Sequence, residues 1–271
     1  MTRSTEEPES LTVLVIPDSH AGPGQDLYRF SLLGRAVTHF MAKATNRCVV
    51  LNIGDMVDFA SLSSFDRPGS KALENRRYLS DLEAGLEAQR LIWKEVEDYN
   101  RWRRGEKILE LEWIYLIGNH EARVSRAIQS DPAHLDGVIS LDDITRDQPI
   151  PWTVHPFNVP TFVGGVAFSH YFTTGVMGRA AGGENPAATI LRKQMVSCVQ
   201  GHTHTIDFAE RTAAGGKKIS ALVCGYYGLD EEWAGAQTNA LWTKGLALLH
   251  VKDGEYDLEW WSWRRLLDQF G

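Results

Sequence analysis

The stretch Val13-Leu14-Val15-Ile16-Pro17-Asp18-Ser19-His20 decides how the rest of the sequence is interpreted. Its apolar run has the composition of a buried β-strand, and the run ends abruptly in a carboxylate, a small polar residue and an imidazole. An aspartate and a histidine two positions apart at the carboxyl end of a strand can both turn toward one point above the sheet. Both side chains are common ligands of transition-metal ions. The stretch therefore predicts an α/β protein that holds a cation at a sheet edge.

The same pattern, an apolar run that ends in side chains able to bind metal, recurs further along the chain. The runs are Cys48–Ile53, followed by Gly54-Asp55; Leu111–Ile117, followed by Gly118-Asn119-His120-Glu121; Val166–Ser169, followed by His170; and Met195–Gln200, followed by Gly201-His202-Thr203-His204. Strand ends of this kind can meet at one edge of an α/β sheet. We therefore predict that the chain delivers these ligands to a single two-metal centre.

The first two predicted strands are separated by a segment with helical spacing. Apolar residues recur between Asp26 and Lys43 at the period of an α-helix, and Asp26 could cap it. This order of strand, helix and strand indicates a βαβ unit with parallel strands. The remaining predictions are one long or two shorter helices over Ala72–Arg104, short helices over Ala122–Gln129 and Ala187–Gln194, an irregular stretch over residues 131–160, a hairpin over Thr161–Ser169, a mobile loop over Gly175–Asn185, and strands over Ile206–Arg211, Lys218–Cys224, Leu246–Val251 and Tyr256–Trp263.

Length and charge limit the classes of protein that the chain can belong to. Its 271 residues are 43% hydrophobic and carry a net charge of −7. We expect a disordered N-terminal tail over residues 1–10 and one domain over 11–271, with a helical insertion at about 60–112.

Proteins that bind duplex nucleic acid non-specifically are usually basic, so the acidic balance argues against that class. A compact phosphate-containing substrate stays compatible, because bound dications reverse the local charge.

Cysteine usage and the absence of targeting signals predict a cytoplasmic protein. The three cysteines, Cys48, Cys198 and Cys224, stand singly inside apolar runs, which is typical of buried thiols in a reducing compartment. No apolar run reaches the length of a membrane span. The N-terminus is acidic and lacks the basic start and apolar middle of a signal peptide. We therefore expect no membrane partner, and the sequence predicts no particular oligomeric state.

The histidines are concentrated at the predicted strand ends. The chain has nine, of which five lie in the motifs above, whereas His39, His134, His155 and His250 lie outside them. Two carboxylates, four imidazoles and an amide oxygen are too many ligands for one tetrahedral ion, but they suit two ions that share a carboxylate. Ligands with only nitrogen and oxygen donors favour Mn, with Fe, Zn, Ni or Co as alternatives. Two such ions about 3.5–4 Å apart can share a hydroxide whose pKa is lowered.

This set of motifs resembles the signature of the calcineurin-like metallophosphoesterase superfamily. That signature is D-x-H, G-D, G-N-H-[DE], an isolated H and G-H-x-H, and all five parts occur here in order, over residues 12–204. The resemblance implies a four-layer αββα sandwich of two mixed sheets. It also implies hydrolysis of a phosphodiester or phosphomonoester, expected to come from a nucleotide or a nucleic-acid end, by attack of a metal-bridging hydroxide.

The resemblance also implies a role for each matching position. One metal would be held by Asp18, His20, Asp55 and His204, and the other by Asp55, Asn119, His170 and His202, with Asp55 as the bridge. His120 would bind no metal but would face the substrate and protonate the leaving oxygen, a task that suits a group whose pKa lies near neutrality. Glu121 could orient His120, although many members of the family have aspartate there.

One departure from the family narrows the prediction. Ser/Thr protein phosphatases carry an arginine directly after the second aspartate of G-D-x-x-D, where it contacts phosphate. Here Gly54-Asp55-Met56-Val57-Asp58 continues with Phe59, so that arginine is missing. Arg123 could replace it, whereas Arg126, one helical turn further on, is expected to be a surface residue. Asp58 is expected to hold an imidazole or the loop from outside the metal ligands.

Several alternatives stay open at this point. A DNA-repair-type nuclease would need a basic groove, which the acidic balance disfavours, and a protein phosphatase would need the missing arginine. The β-lactamase-fold hydrolases carry H-x-H-x-D-H, but Asp207 falls one position late after His202 and His204, and position 208 is Phe. A binding scaffold with an inactive site would be expected to lack ligands. Substrate specificity is expected in residues 60–112 and 171–188.

Overall fold

A computed structural model of the chain describes residues 10–64, 66, 69–103, 108–146, 148–231 and 234–271. The predicted disordered tail lies outside the described residues, apart from Ser10, which begins the first strand.

The described residues form thirteen strands and seven α-helices. The strands are β1 (Ser10–Ile16), β2 (Arg47–Asn52), β3 (Glu112–Leu116), β4 (Thr153–His155), β5 (Thr161–Val163), β6 (Val166–Ser169), β7 (Thr173–Thr174), β8 (Arg179–Ala180), β9 (Cys198–Gln200), β10 (Ile206–Thr212), β11 (Lys218–Cys224), β12 (Gly245–Lys252) and β13 (Glu255–Ser262). The helices are α1 (Tyr28–Met41), α2 (Tyr78–Trp102), α3 (Ala122–Ser130), α4 (Pro132–Leu135), α5 (Pro186–Gln194), α6 (Gly235–Leu241) and α7 (Trp263–Phe270).

The strands form two mixed sheets and a small ribbon. The first sheet has the order β13-β12-β1-β2-β3-β4, in which β1 to β4 run parallel and β12 pairs antiparallel with both β1 and β13. The second sheet has the order β10-β11-β9-β6-β5, with parallel pairs at its centre and antiparallel hairpins at both edges. The predicted βαβ unit of β1, α1 and β2 is therefore confirmed, and so is the hairpin of β5 and β6.

The two sheets pack on each other, because their facing strands alternate apolar side chains into a shared core. Val13 and Val15 of β1 belong to the same buried cluster as Phe168 of β6 and Leu222 of β11. The alternate residues of β1, Leu14 and Ile16, point to the opposite face of the sheet. The chain is thus an α/β protein with mixed sheets, as the sequence predicts.

Helices cover the outer faces of the sheets. On the first sheet, α1, α2 and α7 share a cluster with Leu14 and Ile16. On the second sheet, α5 packs Ile190 and Leu191 against strands β9 and β11. The segment over residues 60–112 contains α2 as one uninterrupted helix, which packs along α1 and is part of the first core.

Several elements differ from the sequence prediction. The stretch over 131–160, predicted to be irregular, contains α4 and the short edge strand β4. The predicted loop over Gly175–Asn185 contains β8, which pairs with β7. Helices α6 and α7 were not predicted. Within the part of the chain that the structure describes, no helix combines the length and the apolar character that crossing a bilayer requires.

Candidate metal centre

The predicted ligands meet at the carboxyl ends of the parallel strands. Asp18 and His20 follow β1, and Asp55 follows β2. In the second sheet, His170 follows β6 directly, and His202 and His204 follow β9. Asn119 follows β3. Because the two sheets pack face to face, these five loops converge on one edge of the molecule, as the sequence predicts.

Three groups of potential metal ligands form there; two consist of predicted ligands alone, and the third, His20, Asp58 and His120, shares His20 with the first of these. Asp18, His20 and His204 make the first cluster and Asp55, His170 and His202 the second; in each, the ligand atoms lie within 4.8 Å of one another. In the first, Nε2 of His204 is 3.3 Å from Oδ2 of Asp18. In the second, Nε2 of His170 is 3.2 Å from Oδ2 of Asp55. Two atoms that each lie ~2.1 Å from one ion are about 3.0–3.4 Å apart at octahedral or tetrahedral angles, so both spacings suit a shared cation.

Asp55 lies between the two clusters. Its Oδ2 atom is 3.2 Å from Nε2 of His170, in the second cluster, and 3.8 Å from Nε2 of His20, in the first. Asn119 completes the second cluster, with its side-chain oxygen 2.9 Å from Nε2 of His170. The structure thus brings together all seven residues predicted as metal ligands, and Asp55 has the position that a shared ligand needs.

The donor set fits a cation for two further reasons. Nε2 of His20 is buried and has no hydrogen-bond partner among the described residues, a costly arrangement unless a ligand completes it. Nδ1 of His170 lies 3.1 Å from the carbonyl oxygen of Ile53. A hydrogen bond donated there would leave Nε2 facing the cluster, as is usual for histidines that bind metal.

The charges of the site hold its carboxyl groups ionised. Burial alone would raise the pKa of Asp18 and Asp55, but the neighbouring histidines lower both, and that of Asp55 lies well below its ordinary value. Burial would lower the pKa of His170, yet the charges of Asp55 and Asp18 raise it to about 9. Burial and the charge of His170 lower the pKa of His202 to about 4. Buried carboxylates attract positive charge, and a dication could take the place of the proton on His170.

Four of the ligands have left-handed backbone conformations. The φ angles are 45° at His20, 56° at Asp55, 72° at His202 and 60° at His204. Non-glycine residues seldom adopt positive φ, and such conformations cluster at functional sites. Each one turns a side chain sharply out of the path of its strand and toward the centre.

Two glycines of the motifs make room for the carboxylates. A Cβ atom on Gly118 would lie 2.1 Å from Oδ1 of Asp55, and one on Gly201 would lie 2.2 Å from Oδ1 of Asp18. Backbone amides bind the same carboxylates, since His120 N donates to Oδ1 of Asp55 at 2.8 Å and His202 N donates to Asp18 at 3.0 Å. The G-N-H and G-H-x-H motifs therefore serve as carboxylate cradles as well as sources of ligands.

His120 is held by Asp58. Nδ1 of His120 lies 2.8 Å from Oδ1 of Asp58 and 2.8 Å from its carbonyl oxygen, while Nε2 is 3.8 Å from Oδ2 of Asp55. Burial would lower the pKa of His120, but Asp55 and Asp58 raise it. Oδ1 of Asp58 also lies 3.5 Å from Nδ1 of His20. The prediction that Asp58 holds an imidazole is confirmed.

The predicted role of Glu121 is wrong. Its carboxylate accepts hydrogen bonds from the backbone amides of Asp55, Val57 and Gly118 and from the hydroxyl of Tyr115, at 2.8 to 3.1 Å. These four donors occupy both oxygens, and none of them belongs to His120. Glu121 is fully buried and instead fixes the loop that carries Asp55. It acts as a positioning residue for the predicted shared ligand.

Arg123 reaches the site and Arg126 lies at its rim. Arg123 is 8% exposed; it donates to the carbonyl oxygen of Asp58 at 2.8 Å and its Nη2 atom is 3.3 Å from Nε2 of His120. Arg126 is exposed and donates to the carbonyl oxygen of Asn119 at 2.7 Å. Arg123 therefore lies beside His120, and its contact with phosphate stays a prediction.

The sequence analysis missed the aromatic residues that flank the ligands. Tyr226 stacks on His204 with the ring centroids 4.3 Å apart, and Trp242 meets the same imidazole edge-on at 4.4 Å. On the other side, the Tyr171 ring lies 4.9 Å from His202. A signal for Tyr226 was present, because Gly225-Tyr226-Tyr227-Gly228 follows the buried strand β11 as the ligand motifs follow theirs.

Neither comparison with known sequences identifies the chain. No model of a known protein family matches it, and no curated protein matches it. Its function is therefore inferred from the residues of the site and their geometry.

Proposed function

We propose that the chain is a two-metal phosphoesterase with the fold and the site of the calcineurin-like metallophosphoesterases. It would hydrolyse a phosphodiester or a phosphomonoester, derived from a nucleotide or from a nucleic-acid end. The observation that carries the proposal is the position of Asp55, whose Oδ2 atom lies within 3.2–3.8 Å of histidines from both clusters. The packing of helices on the outer faces of two mixed sheets supports the αββα fold.

The residues for two divalent ions follow from the clusters. Asp18, His20, Asp55 and His204 would hold one ion, and Asp55, Asn119, His170 and His202 the other. Mn is the favoured ion, with Fe, Zn, Ni and Co as alternatives, because all the donors are nitrogen or oxygen. Bound there, the ions would supply an activated water and would neutralise charge on the phosphoryl oxygens.

His120 is the proton donor in this proposal. Its Nδ1 atom is occupied by Asp58, so in the protonated ring Nε2–H is the group available to the leaving oxygen. Asp58 keeps the ring in this orientation and favours the charged form, since the hydrogen bond and the negative charge of Asp58 both raise the pKa of His120. A positioned acid of this kind contributes typically about 10²–10⁴-fold to the rate.

Arg123 supplies positive charge beside His120. Nη1 is bound to the carbonyl oxygen of Asp58, and Nη2 lies 3.3 Å from Nε2 of His120. A guanidinium held in this way is suited to contact a phosphoryl oxygen as charge develops on it. It would take the place of the arginine that protein phosphatases carry after G-D-x-x-D, which is absent here. That absence disfavours a protein phosphatase.

The site geometry also disfavours a β-lactamase-type centre. Oδ2 of Asp207 accepts a hydrogen bond from the amide of Ala187 at 2.9 Å, at the first turn of α5, and Asp207 belongs to neither ligand cluster. Asp18 and His20, which an H-x-H-x-D motif leaves without a role, both belong to the first cluster. A DNA-repair-type nuclease uses the same chemistry and differs only in its substrate.

The proposal is tested with metal-stripped protein reloaded with Mn, Fe(II), Zn, Ni or Co. The substrates are p-nitrophenyl phosphate, bis(p-nitrophenyl) phosphate, a cyclic nucleotide, and single- and double-stranded DNA. We expect two ions per chain and turnover that returns with the ions. His202→Ala should weaken the ion of the second cluster and abolish turnover, whereas His134→Ala, which changes an exposed histidine outside the site, should retain both ions and turnover. Stoichiometric metal binding with no turnover of any substrate would favour the scaffold hypothesis.

A further inference from the structure

Two arginines follow His120 along α3. Arg123 and Arg126 are one helical turn apart, which places them on neighbouring positions of the same helix face, with about 5–6 Å between their Cβ atoms. Arg123 is the inner one and is nearly buried beside His120, while Arg126 is the outer, exposed one. Positive charge therefore extends in one direction, from the reacting centre to the surface.

The outer guanidinium is fixed against the second ligand cluster. Nη2 of Arg126 donates to the carbonyl oxygen of Asn119 at 2.7 Å. The side chain of Asn119 in turn lies 2.9 Å from Nε2 of His170, which is 3.2 Å from Asp55. Arg126 is thus connected to the second cluster through one residue, and it is exposed.

The charge of Arg126 has no acidic partner in the described part of the chain. Several other exposed arginines do pair with a carboxylate: Arg101 with Asp98 at 3.1 Å, Arg146 with Asp143 at 2.9 Å, and Arg265 with Glu259 at 3.6 Å. No carboxylate of the described residues lies within salt-bridge distance of Arg126. In an acidic protein, an unneutralised guanidinium beside a candidate phosphate site is available for an anionic ligand.

We propose that Arg126 forms an outer anion subsite that binds a second phosphate group of the substrate, next to the phosphate at the metal centre. This inference rests on the proposed function and narrows it to phosphoesters that carry at least two neighbouring phosphates. The second phosphate could be joined through an anhydride, as in a nucleoside diphosphate, or through a sugar, as along a nucleic-acid strand. Both present negatively charged phosphoryl oxygens to the guanidinium fork.

The test measures binding, so that it does not depend on turnover. Isothermal titration calorimetry on the Mn-loaded full chain compares thymidine 5′-monophosphate with thymidine 5′-diphosphate and with thymidine 3′,5′-bisphosphate. We expect at least one of the two-phosphate ligands to bind at least tenfold more tightly than the monophosphate. The ligand that shows the gain identifies the linkage, by anhydride or through the sugar.

Three variants test whether the tighter binding of the two-phosphate ligands depends on Arg126. Arg126→Gln should reduce the ratio of affinities at least tenfold, toward one. Arg126→Lys should restore part of it, since the charge returns without the planar fork. Arg192→Gln removes the same charge from an exposed position on α5, outside both ligand clusters, and should keep the wild-type ratio.

Two results would overturn the proposal. One is an equal affinity for all three thymidine ligands in the wild type, and the other is an affinity ratio that Arg126→Gln leaves intact. Failure of the proposed function would look different. In that case the chain would bind no Mn or would hydrolyse neither nitrophenyl substrate, whereas failure of the subsite would leave both of those properties unchanged.

Discussion

Nδ1 of His120 lies 2.8 Å from Oδ1 of Asp58, although 62 residues separate the two along the chain. Glu121, the immediate neighbour of His120, binds the backbone around Asp55 instead. The candidate proton donor is therefore oriented by the loop after β2, and the residue beside it in sequence orients a metal ligand. This division of roles allows the two carboxylates to be tested separately.

Asp58→Asn should keep both metals and lower kcat by about 10²-fold, because the substituted amide no longer favours the charged imidazole. The pKa of His120 should fall, because Asp58 no longer raises it. His120 then loses its proton at lower pH, so the basic limb of the pH–rate profile should move to lower pH. Metal content is measured by elemental analysis and the profile with a chromogenic diester. Loss of metal with an unchanged pH–rate profile would show that Asp58 acts on His20, whose Nδ1 lies 3.5 Å from Oδ1 of Asp58, and not on His120.

His120→Ala should keep the metals and lose turnover to an extent that depends on the leaving group. Proton donation matters most for a poor leaving group, so the loss should be larger for an alkyl or nucleoside ester than for a nitrophenyl ester. Paired kcat/KM values for the two kinds of ester give this comparison. An equal loss with both, or a loss of metal, would argue against a proton donor.

Asp55→Asn should weaken both ions together, because Asp55 lies between the clusters. Asp18→Asn is the matched control, since Asp18 belongs to the first cluster alone. It should weaken one ion and leave the other close to its original affinity. The readout is metal stoichiometry during titration with a competing chelator. If Asp55→Asn released only one ion, a shared carboxylate would be ruled out.

Gly118→Ala should destabilise the fold by about 1–3 kcal/mol, the usual range for overpacking a tight site. The added Cβ would lie 2.1 Å from Oδ1 of Asp55, which is itself buried. Gly22→Ala makes the same change where the new atom meets only a flexible glutamine at 3.4 Å, so we expect a change within about 0.5 kcal/mol. Urea unfolding of both variants checks the difference, and equal stabilities would contradict the predicted clash.

The three cysteines should resist alkylation in the native protein. Cys48, Cys198 and Cys224 are buried, and burial raises the pKa of Cys198 to about 12 and that of Cys224 well above its ordinary value. Reactive thiolate is therefore scarce at neutral pH. Mass spectrometry after iodoacetamide treatment should show no adduct before unfolding and three adducts in denaturant. Rapid labelling of the native chain would show that a thiol is accessible.

The sequence predicted the parts of the site that depend on strand ends. Asp18, Asp55 and His202 each follow an apolar run, and parallel strands bring such ends together, so the ligand set could be predicted without coordinates. The role of Glu121 could not be predicted in this way. Consecutive residues entering a helix point in different directions, so the neighbour of His120 in sequence faces away from it.

Other features depend on tertiary context that a local pattern does not carry. Strand β4 has three residues and is defined by pairing with β3 at the sheet edge, so its sequence resembles a loop. Trp242 reaches His204 from a distant segment, after α6. The left-handed backbone at the ligands follows from the loops that surround them, since histidine and aspartate have no general preference for positive φ of the kind that glycine has.

The left-handed conformations at His20, Asp55, His202 and His204 have a consequence for how ions would enter and leave. Their energetic cost is met by the surrounding fold, whatever occupies the space between the side chains. An arriving ion would thus meet ligands that are already arranged, with little chain rearrangement to slow its uptake. Exchange should then be governed by dehydration of the ion and by displacement of protons, which would let one scaffold accept different metals as their supply changes.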